Sequence, residues 1–216
     1  MSGRTFAKQI ISLVLFSVIA GLAGHAAEAA PAAEKVDFTN VAFAPVTGAT
    51  SIPIGHADFC RRFPADCQVN ADLVEDVQLT PANWKQLLAV NSYFNTTIVP
   101  ETDEQLYHVA DYWTYPNGYG DCEDIALAKR RQLIADGWPA STVLMTVVKD
   151  QHDEGHAVLM VRTDRGDLIL DNQDSTVRDW RESPYRFLKR ESQANAADWV
   201  GIADTRPTVI LANTSR

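Results

Sequence analysis

The chain has little of what several protein classes require. Basic residues are in the minority, with 19 Lys plus Arg against 28 Asp plus Glu and a net charge of −9. A nucleic-acid binder needs a basic face, so that class is excluded. Glycine (11) and proline (10) are too few in 216 residues for a low-complexity chain. Beyond the first thirty residues no segment approaches the length of a membrane span. Cysteine is scarce, and its count of three is odd, so two can pair and one is left to explain. What remains is 46% hydrophobic and 22% charged, the balance of a folding globular protein rather than a disordered one.

The N-terminus reads as a leader. Arg4 and Lys8 open it, an uncharged stretch rich in Ile, Leu, Val and Phe follows from Gln9 to Gly24, and Ala27-Glu28-Ala29 supplies the small-residue cleavage pattern. A basic start, a short apolar core and A-x-A form a Sec-type secretory signal, with cleavage expected before Ala30. An uncleaved anchor is the rival, but the apolar stretch is short for a hydrocarbon core of about 30 Å. Residues 1–29 are therefore assigned to the signal, 30–50 to a flexible lead-in rich in Ala, Pro and Thr, and 51–210 to a single domain. Removing the leader takes away Arg4, Lys8 and Glu28 and leaves a charge of −10. The mature protein is expected in the periplasm or outside the cell, with no membrane span of its own.

Export changes how the cysteines read. In an oxidising compartment disulfides persist. Cys60 and Cys67 flank a short polar stretch containing Pro64, a bent loop that a disulfide would pin. Zinc is the alternative, with His56 as the neighbouring ligand, but no further Cys or His completes a set with normal spacing. Cys122 is the thiol left over, either buried and inert or reactive for a purpose.

Along the chain the hydrophobic period changes once. Thr80-Pro81 opens a helix with an N-cap and a proline at its first position. Trp84, Leu87, Leu88, Asn91 and Phe94 lie on one face of it, and Asn95-Thr96-Thr97 closes it before Pro100. A second helix is expected over 101–112 with Leu106, Val109 and Ala110 inward. The aromatic, Gly-rich stretch from Trp113 to Gly120 should be a packed loop. A third helix starts at Asp121-Cys122-Glu123-Asp124, where acidic residues suit the helix dipole. Ile125, Leu127, Ala128, Leu133 and Ile134 give it apolar contacts, and Gly137 and Pro139 end it. From there the pattern is β-rich: Val143 to Val148, His156 to Thr163, and Leu168 to Leu170 after the turn residues 164–167. Helices followed by consecutive antiparallel strands predict an α+β fold, helices packed on one face of a sheet.

Three residues carry the candidate chemistry. Cys122 falls in the first turn of a helix, where free N–H groups favour a thiolate, although the neighbouring carboxylates oppose it. His156 begins a strand and Asp171 ends the next. A turn with two central residues, Asp164-Arg165, pairs 163 with 166 and 158 with 171. His156 then lies diagonal to Asp171 on the same face, about 7–8 Å away between backbones. Centring the turn on Arg165-Gly166 keeps the face but increases the separation. A three-residue loop puts the two on opposite faces unless a bulge corrects it. The first register is preferred, giving an imidazole base oriented by a carboxylate and facing a thiol. His152, in a solvated loop, is the weaker base, and His56 and His108 read as ordinary surface or helix histidines.

Together, Asp111-Tyr112-Trp113, Gly120-Asp121-Cys122-Glu123-Asp124, Lys129-Arg130-Arg131, Glu154-Gly155-His156-Ala157-Val158-Leu159 and Leu170-Asp171-Asn172 resemble the bacterial transglutaminase-like cysteine peptidases over roughly residues 50–200. That resemblance implies a papain-like, transglutaminase-type fold and a triad of Cys122, His156 and Asp171, with no cofactor needed for catalysis. It implies an exported peptidase whose substrate is a periplasmic or cell-surface protein such as a biofilm adhesin. An inner-membrane protein that senses cyclic-di-GMP would restrain it. It also implies calcium, held by Asp121 and Glu123, with Asp124 a further ligand; capping of the helix is the competing role for these acids. Acyl transfer to an amine, or a non-catalytic binding module on the same fold, are the alternative functions.

Overall fold

The computed structural model describes residues 41–206. The leader assigned to 1–29, the first part of the lead-in and the end of the chain lie outside the described residues. Among the described residues no helix is long and apolar enough to cross a membrane.

The chain runs β1 (Val46–Thr50), α1 (Ile54–Arg62), α2 (Pro81–Thr97), β2 (Val99–Pro100), α3 (Asp103–Tyr107), β3 (Tyr119–Gly120) and α4 (Cys122–Ala135). Then come β4 (Val143–Lys149), β5 (Gly155–Thr163), β6 (Gly166–Leu170), β7 (Arg178–Asp179), β8 (Arg186–Glu191) and β9 (Trp199–Ile202). Seven strands form one sheet in the order β1-β9-β8-β4-β5-β6-β7, and β2 pairs with β3 separately. Every pairing in the large sheet is antiparallel. This is the α+β arrangement expected, with α2 and α4 on one face.

Local signals account for most element ends. The Thr80 hydroxyl accepts from the Asn83 N–H at 3.1 Å, with Pro81 at the first helical position of α2. α4 stops where Gly137 adopts φ +96°. The β5–β6 turn has Asp164 and Arg165 at its centre, with Thr163 facing Gly166 and Leu159 facing Leu170. Gly166 has φ +104°, and a Cβ there would lie 2.5 Å from the Ala42 carbonyl oxygen. Only glycine satisfies both constraints.

The sheet separates two apolar layers. Met145, Leu159, Val161 and Leu168 face α4 and α2, meeting Leu87, Val90, Leu127 and Leu133. Val148, Val158, Met160 and Ile169 face the other way, against Trp180, Tyr185, Phe187 and Ile202. Period-two alternation sorts the strand residues between these layers. α4 is buried along most of its length, since it is enclosed by α2 and the strands.

Several expectations need correction. The assigned lead-in is structured from residue 41. Val46–Thr50 forms an edge strand on β9, and the Ala44 N–H donates to Asp167 Oδ2 at 2.7 Å. Small residues there permit close approach to the sheet, not only flexibility. The helix expected over 101–112 shortens to Asp103–Tyr107, leaving Val109 and Ala110 exposed. A capping box between Thr102 and Gln105 fixes its start, His108 leaves at φ +60°, and Asp103 accepts the Tyr112 N–H to turn the chain back. Leu88 is exposed, since the buried stripe of α2 runs through Leu87, Val90 and Asn91.

His56 is a core residue rather than a surface one, only 1% exposed. Its Nδ1 accepts from the Trp199 indole N–H at 3.1 Å, and its Nε2 lies 3.2 Å from Glu191 Oε1. The other Glu191 oxygen accepts from Arg130 Nε at 3.1 Å and the Met145 N–H at 3.0 Å. Burial would raise the Glu191 carboxyl, but Arg130, His56 and this backbone donor outweigh it and hold its pKa below the ordinary value. Removing one partner of a buried ion pair leaves the other uncompensated. Glu191→Ala is expected to lose about 3–5 kcal/mol in urea unfolding, the usual cost of such a break.

Candidate active site

Cys122 is the first residue of α4, and its position depends on the turn before it. Gly120 is buried, and a Cβ at that position would lie 2.8 Å from Asp124 Cβ and Oδ2. Asp124 folds back on the same turn, its Oδ1 accepting the Thr114 N–H at 2.7 Å. Glycine thus lets the chain enter α4 tightly and turns Cys122 into a cleft of about 400 Å³. Pro53, Asp111, Trp113, His156 and Ala157 share the lining.

His156 is the second residue of β5 and is buried. Its Nε2 lies 2.8 Å from Asp171 Oδ1. An ionised carboxylate only accepts, so Nε2 carries the proton and Nδ1 keeps its lone pair. The Gln173 side-chain amide lies 3.4 Å from that Nδ1. Asp171 Oδ1 also accepts the Gln173 N–H at 3.0 Å, Oδ2 accepts the Tyr185 hydroxyl, and the Asp171 carbonyl accepts Asn95 Nδ2 at 2.7 Å. Burial would raise Asp171, but His156, Tyr185 and the Gln173 N–H, with His156 first among them, hold its carboxyl below the ordinary value. The hairpin register behind this pairing is the preferred one, so His156 and Asp171 share a face.

The thiol itself faces carboxylate. Cys122 Sγ donates to Glu123 Oε2 at 3.0 Å and accepts from the Ala157 N–H at 3.4 Å. Burial in the cleft wall pushes the thiol well above its ordinary pKa, and Glu123 pushes it further. The helix start was expected to favour the thiolate; here the neighbouring acid outweighs it.

An acidic cluster surrounds this helix start. Asp103, Asp121 and Asp124 converge within 4.8 Å, as do Asp103, Asp111 and Glu123. Asp121 precedes the helix, but its side chain makes no cap bond. The buried oxygens Asp103 Oδ1, Asp121 Oδ1 and Asp124 Oδ2 have no hydrogen-bond donor. Burial raises Asp103, Asp121, Glu123 and Asp124, bringing Glu123 to about 9 and Asp124 to about 8. Sequence reasoning named Asp121, Glu123 and Asp124 and missed Asp103 and Asp111. These come from α3 and the loop after it, and only the fold brings them in. An acid in the first turn of a capped helix was the one available signal.

The remaining assignments are settled by position. Cys60 and Cys67 form a disulfide with Cα atoms 5.5 Å apart, which removes their thiolates from any zinc set with His56. His152 is exposed on its loop, and His108 is exposed after α3. Lys129, about two turns of α4 along from Cys122, is buried, and its ammonium donates to Asn91 Oδ1 at 2.8 Å. Asn91 in turn donates to the Ser175 carbonyl at 3.1 Å, on the loop that follows Asp171. Burial lowers Lys129 to about 7.

A thiol, an imidazole paired with a carboxylate, and a backbone N–H aimed at the sulfur therefore meet in one cleft. The model of the bacterial transglutaminase-like cysteine proteinases matches residues 46–207, which is most of the chain. The chain belongs to that family. It is a cysteine peptidase with a transglutaminase-like fold. Calcium-bound LapG of Legionella pneumophila is similar at 25% identity over 74% of this chain and 93% of that one, with a TM-score of 0.49. The EGTA-treated form is similar at 29% identity over 69% and 80%, with a TM-score of 0.47. No curated protein matches.

The raised acids of this peptidase give a pH signature. Between about pH 5 and 7 an unfolded chain has released its carboxyl protons, while folded Glu123 and Asp124 still hold theirs. The folded state binds more protons, so stability falls as pH rises through this window. Lys129, lowered to about 7, starts to release its proton in the folded state only near the top of this window, where it offsets part of the trend without reversing it. Thermal denaturation in a chelator should show the melting temperature dropping from pH 5 to 7, and a rise would contradict these assignments.

Proposed function

We propose that the protein is an exported cysteine endopeptidase in which Cys122 is the nucleophile, His156 the base and Asp171 the group that orients it. The observation that carries this reading is the 2.8 Å bond between His156 Nε2 and Asp171 in the wall of the cleft that holds Cys122. With Nε2 bonded to the carboxylate, Nδ1 is the nitrogen with a lone pair available to a thiol.

In this reading Cys122 gives its proton to His156 Nδ1, and the thiolate attacks the carbonyl carbon of a substrate amide. The carbonyl π electrons move to oxygen, where the Cys122 backbone N–H at the helix start stabilises the oxyanion. The oxyanion collapses, the C–N bond breaks, and the imidazolium protonates the leaving amine. Water then gives a proton to His156 and attacks the thioester, releasing the acid and restoring the thiol. Asp171 stays ionised throughout and stabilises the imidazolium.

The acidic cluster fits a calcium ion. Three buried carboxylate oxygens without donors, in a set of hard oxygen ligands, are what such a cation satisfies. Asp103, Asp121, Glu123 and Asp124 would hold it, with Asp111 adjoining. When bound, the ion supplies positive charge that offsets these carboxylates beside the nucleophile. The leader-like N-terminus and the Cys60–Cys67 disulfide support an oxidising compartment outside the cytoplasm. The substrate is then a periplasmic or surface protein, with a biofilm adhesin as the leading instance and an inner-membrane regulator as a further partner.

Two measurements test this. A strain lacking the protein is complemented with wild type or Cys122→Ala, and released proteins are read by mass spectrometry. A surface-protein fragment should appear with wild type alone. The same fragment with Cys122→Ala would exclude Cys122 as the nucleophile, and cross-linked products in place of fragments would indicate acyl transfer. For calcium, titration calorimetry in buffers of different ionisation enthalpy should show proton release on binding and tighter binding at higher pH, because Glu123 and Asp124 must ionise. Heats equal to buffer dilution would remove the metal.

A further inference from the structure

Asp171 accepts from two sides. Oδ1 takes the His156 and Gln173 donors, and Oδ2 takes the hydroxyl of Tyr185. Tyr185 is buried, and its ring lies 5.1 Å from the His156 imidazole, tilted at 58°. One side chain therefore touches both the carboxylate and the imidazole that it orients. Burial, and Asp171 after it, raise the phenol far above its ordinary pKa, so it stays a donor.

Tyr185 is itself held firmly. It ends the loop before β8, and the Arg206 guanidinium gathers that loop by donating to the carbonyls of Trp180, Arg181, Ser183 and Tyr185 at 2.6–3.1 Å. Arg206 also stacks on Trp180 and Phe187 and pairs with Asp204 at 2.7 Å. The loop is thus fastened by Arg206 as well as by the hairpin itself, where the Trp180 N–H donates to the Asp167 carbonyl at 3.0 Å.

We propose that Tyr185 is a positioning residue of the peptidase: its hydroxyl fixes the rotation of the Asp171 carboxylate so that Oδ1 meets His156 Nε2. A carboxylate on a short side chain turns about its terminal bond over a broad well. Its two oxygens are equivalent until a donor distinguishes them. Gln173 and His156 share one oxygen, and Tyr185 holds the other, so the plane of the group is set at both ends. This inference rests on the assignment of Cys122, His156 and Asp171.

The test removes one oxygen atom. Tyr185→Phe keeps the ring against His156 and deletes the donor. Two properties of the purified full chain are read in calcium-containing buffer at neutral pH. One is the rate at which iodoacetamide alkylates Cys122, followed by mass spectrometry. The other is the low-field proton NMR signal of His156 Nε2–H in its bond to Asp171. Losing a hydrogen bond to a charged group should slow alkylation about tenfold and displace or broaden the signal. Tyr185→Phe reacting like wild type, or reacting slowly with the signal unmoved, would overturn the proposal. Asp171→Asn is the control for the underlying reading. If Asp171→Asn alkylates at the wild-type rate, the triad assignment fails whatever Tyr185 does. If Asp171→Asn is slow while Tyr185→Phe is unchanged, only the role of Tyr185 fails.

Discussion

A one-residue slip in the hairpin of β5 and β6 would dismantle the candidate site. Side chains alternate across a strand, so such a slip would send His156 and Asp171 to opposite faces of the sheet. The same slip would carry Leu159 and Val161 out of the layer under α4 and put Val158 and Met160 into it. Core burial and site geometry therefore depend on one register. Gly166 sets it locally, since its backbone angle closes a two-residue turn and its lack of a side chain admits the Ala42 carbonyl. Asp167 sets it a second time, its carboxylate receiving the Ala44 N–H and so tying the segment before β1 to the hairpin.

Charge in the interior follows two opposite rules in this protein. Glu191 is buried among Arg130, His56 and a backbone donor, and the surroundings keep it ionised. Asp171 is buried with three donors on its carboxylate and is likewise held low. The acids beside Cys122 are buried with each other, so their surroundings keep protons on them. The first arrangement organises structure and the second stores an unmet demand for positive charge. That demand sits one residue from the thiol, which links the charge state of the cluster to how firmly Cys122 holds its proton. Lys129 lies at the other end of this economy, a buried cation that joins α4 to α2 and to the loop after Asp171 through Asn91.

Much of this was legible in the chain. Thr80-Pro81, Gly137 and the turn residues 164–167 mark element ends through local sterics and capping, which act over a few residues. Cys122, His156 and Asp171 could be singled out as candidates because each sits at a helix or strand end with a distinctive neighbour, and the fold lines one cleft with Cys122 and His156 and bonds His156 to Asp171. The short α3 was misread because a capping box and a left-handed residue overrode a helical period. His56 was misread because the residues that bury it, Trp199 and Glu191, lie more than 130 positions later. Leu88 was misplaced because a period of 3.6 gives a face but not its width.

The sequence by itself determined the α+β order and the helix that presents Cys122, and its turn residues favoured the hairpin register that puts His156 and Asp171 on one side. These follow from short-range rules of period, capping and turn chemistry. Only the tertiary structure decided that Asp103 and Asp111 join the acids of α4, that Glu123 meets the thiol, and that Tyr185 and Asn95 grip Asp171. Those contacts join segments far apart in the chain, and their partners are chosen by packing and by the need of buried polar groups for one another. No local pattern records that choice.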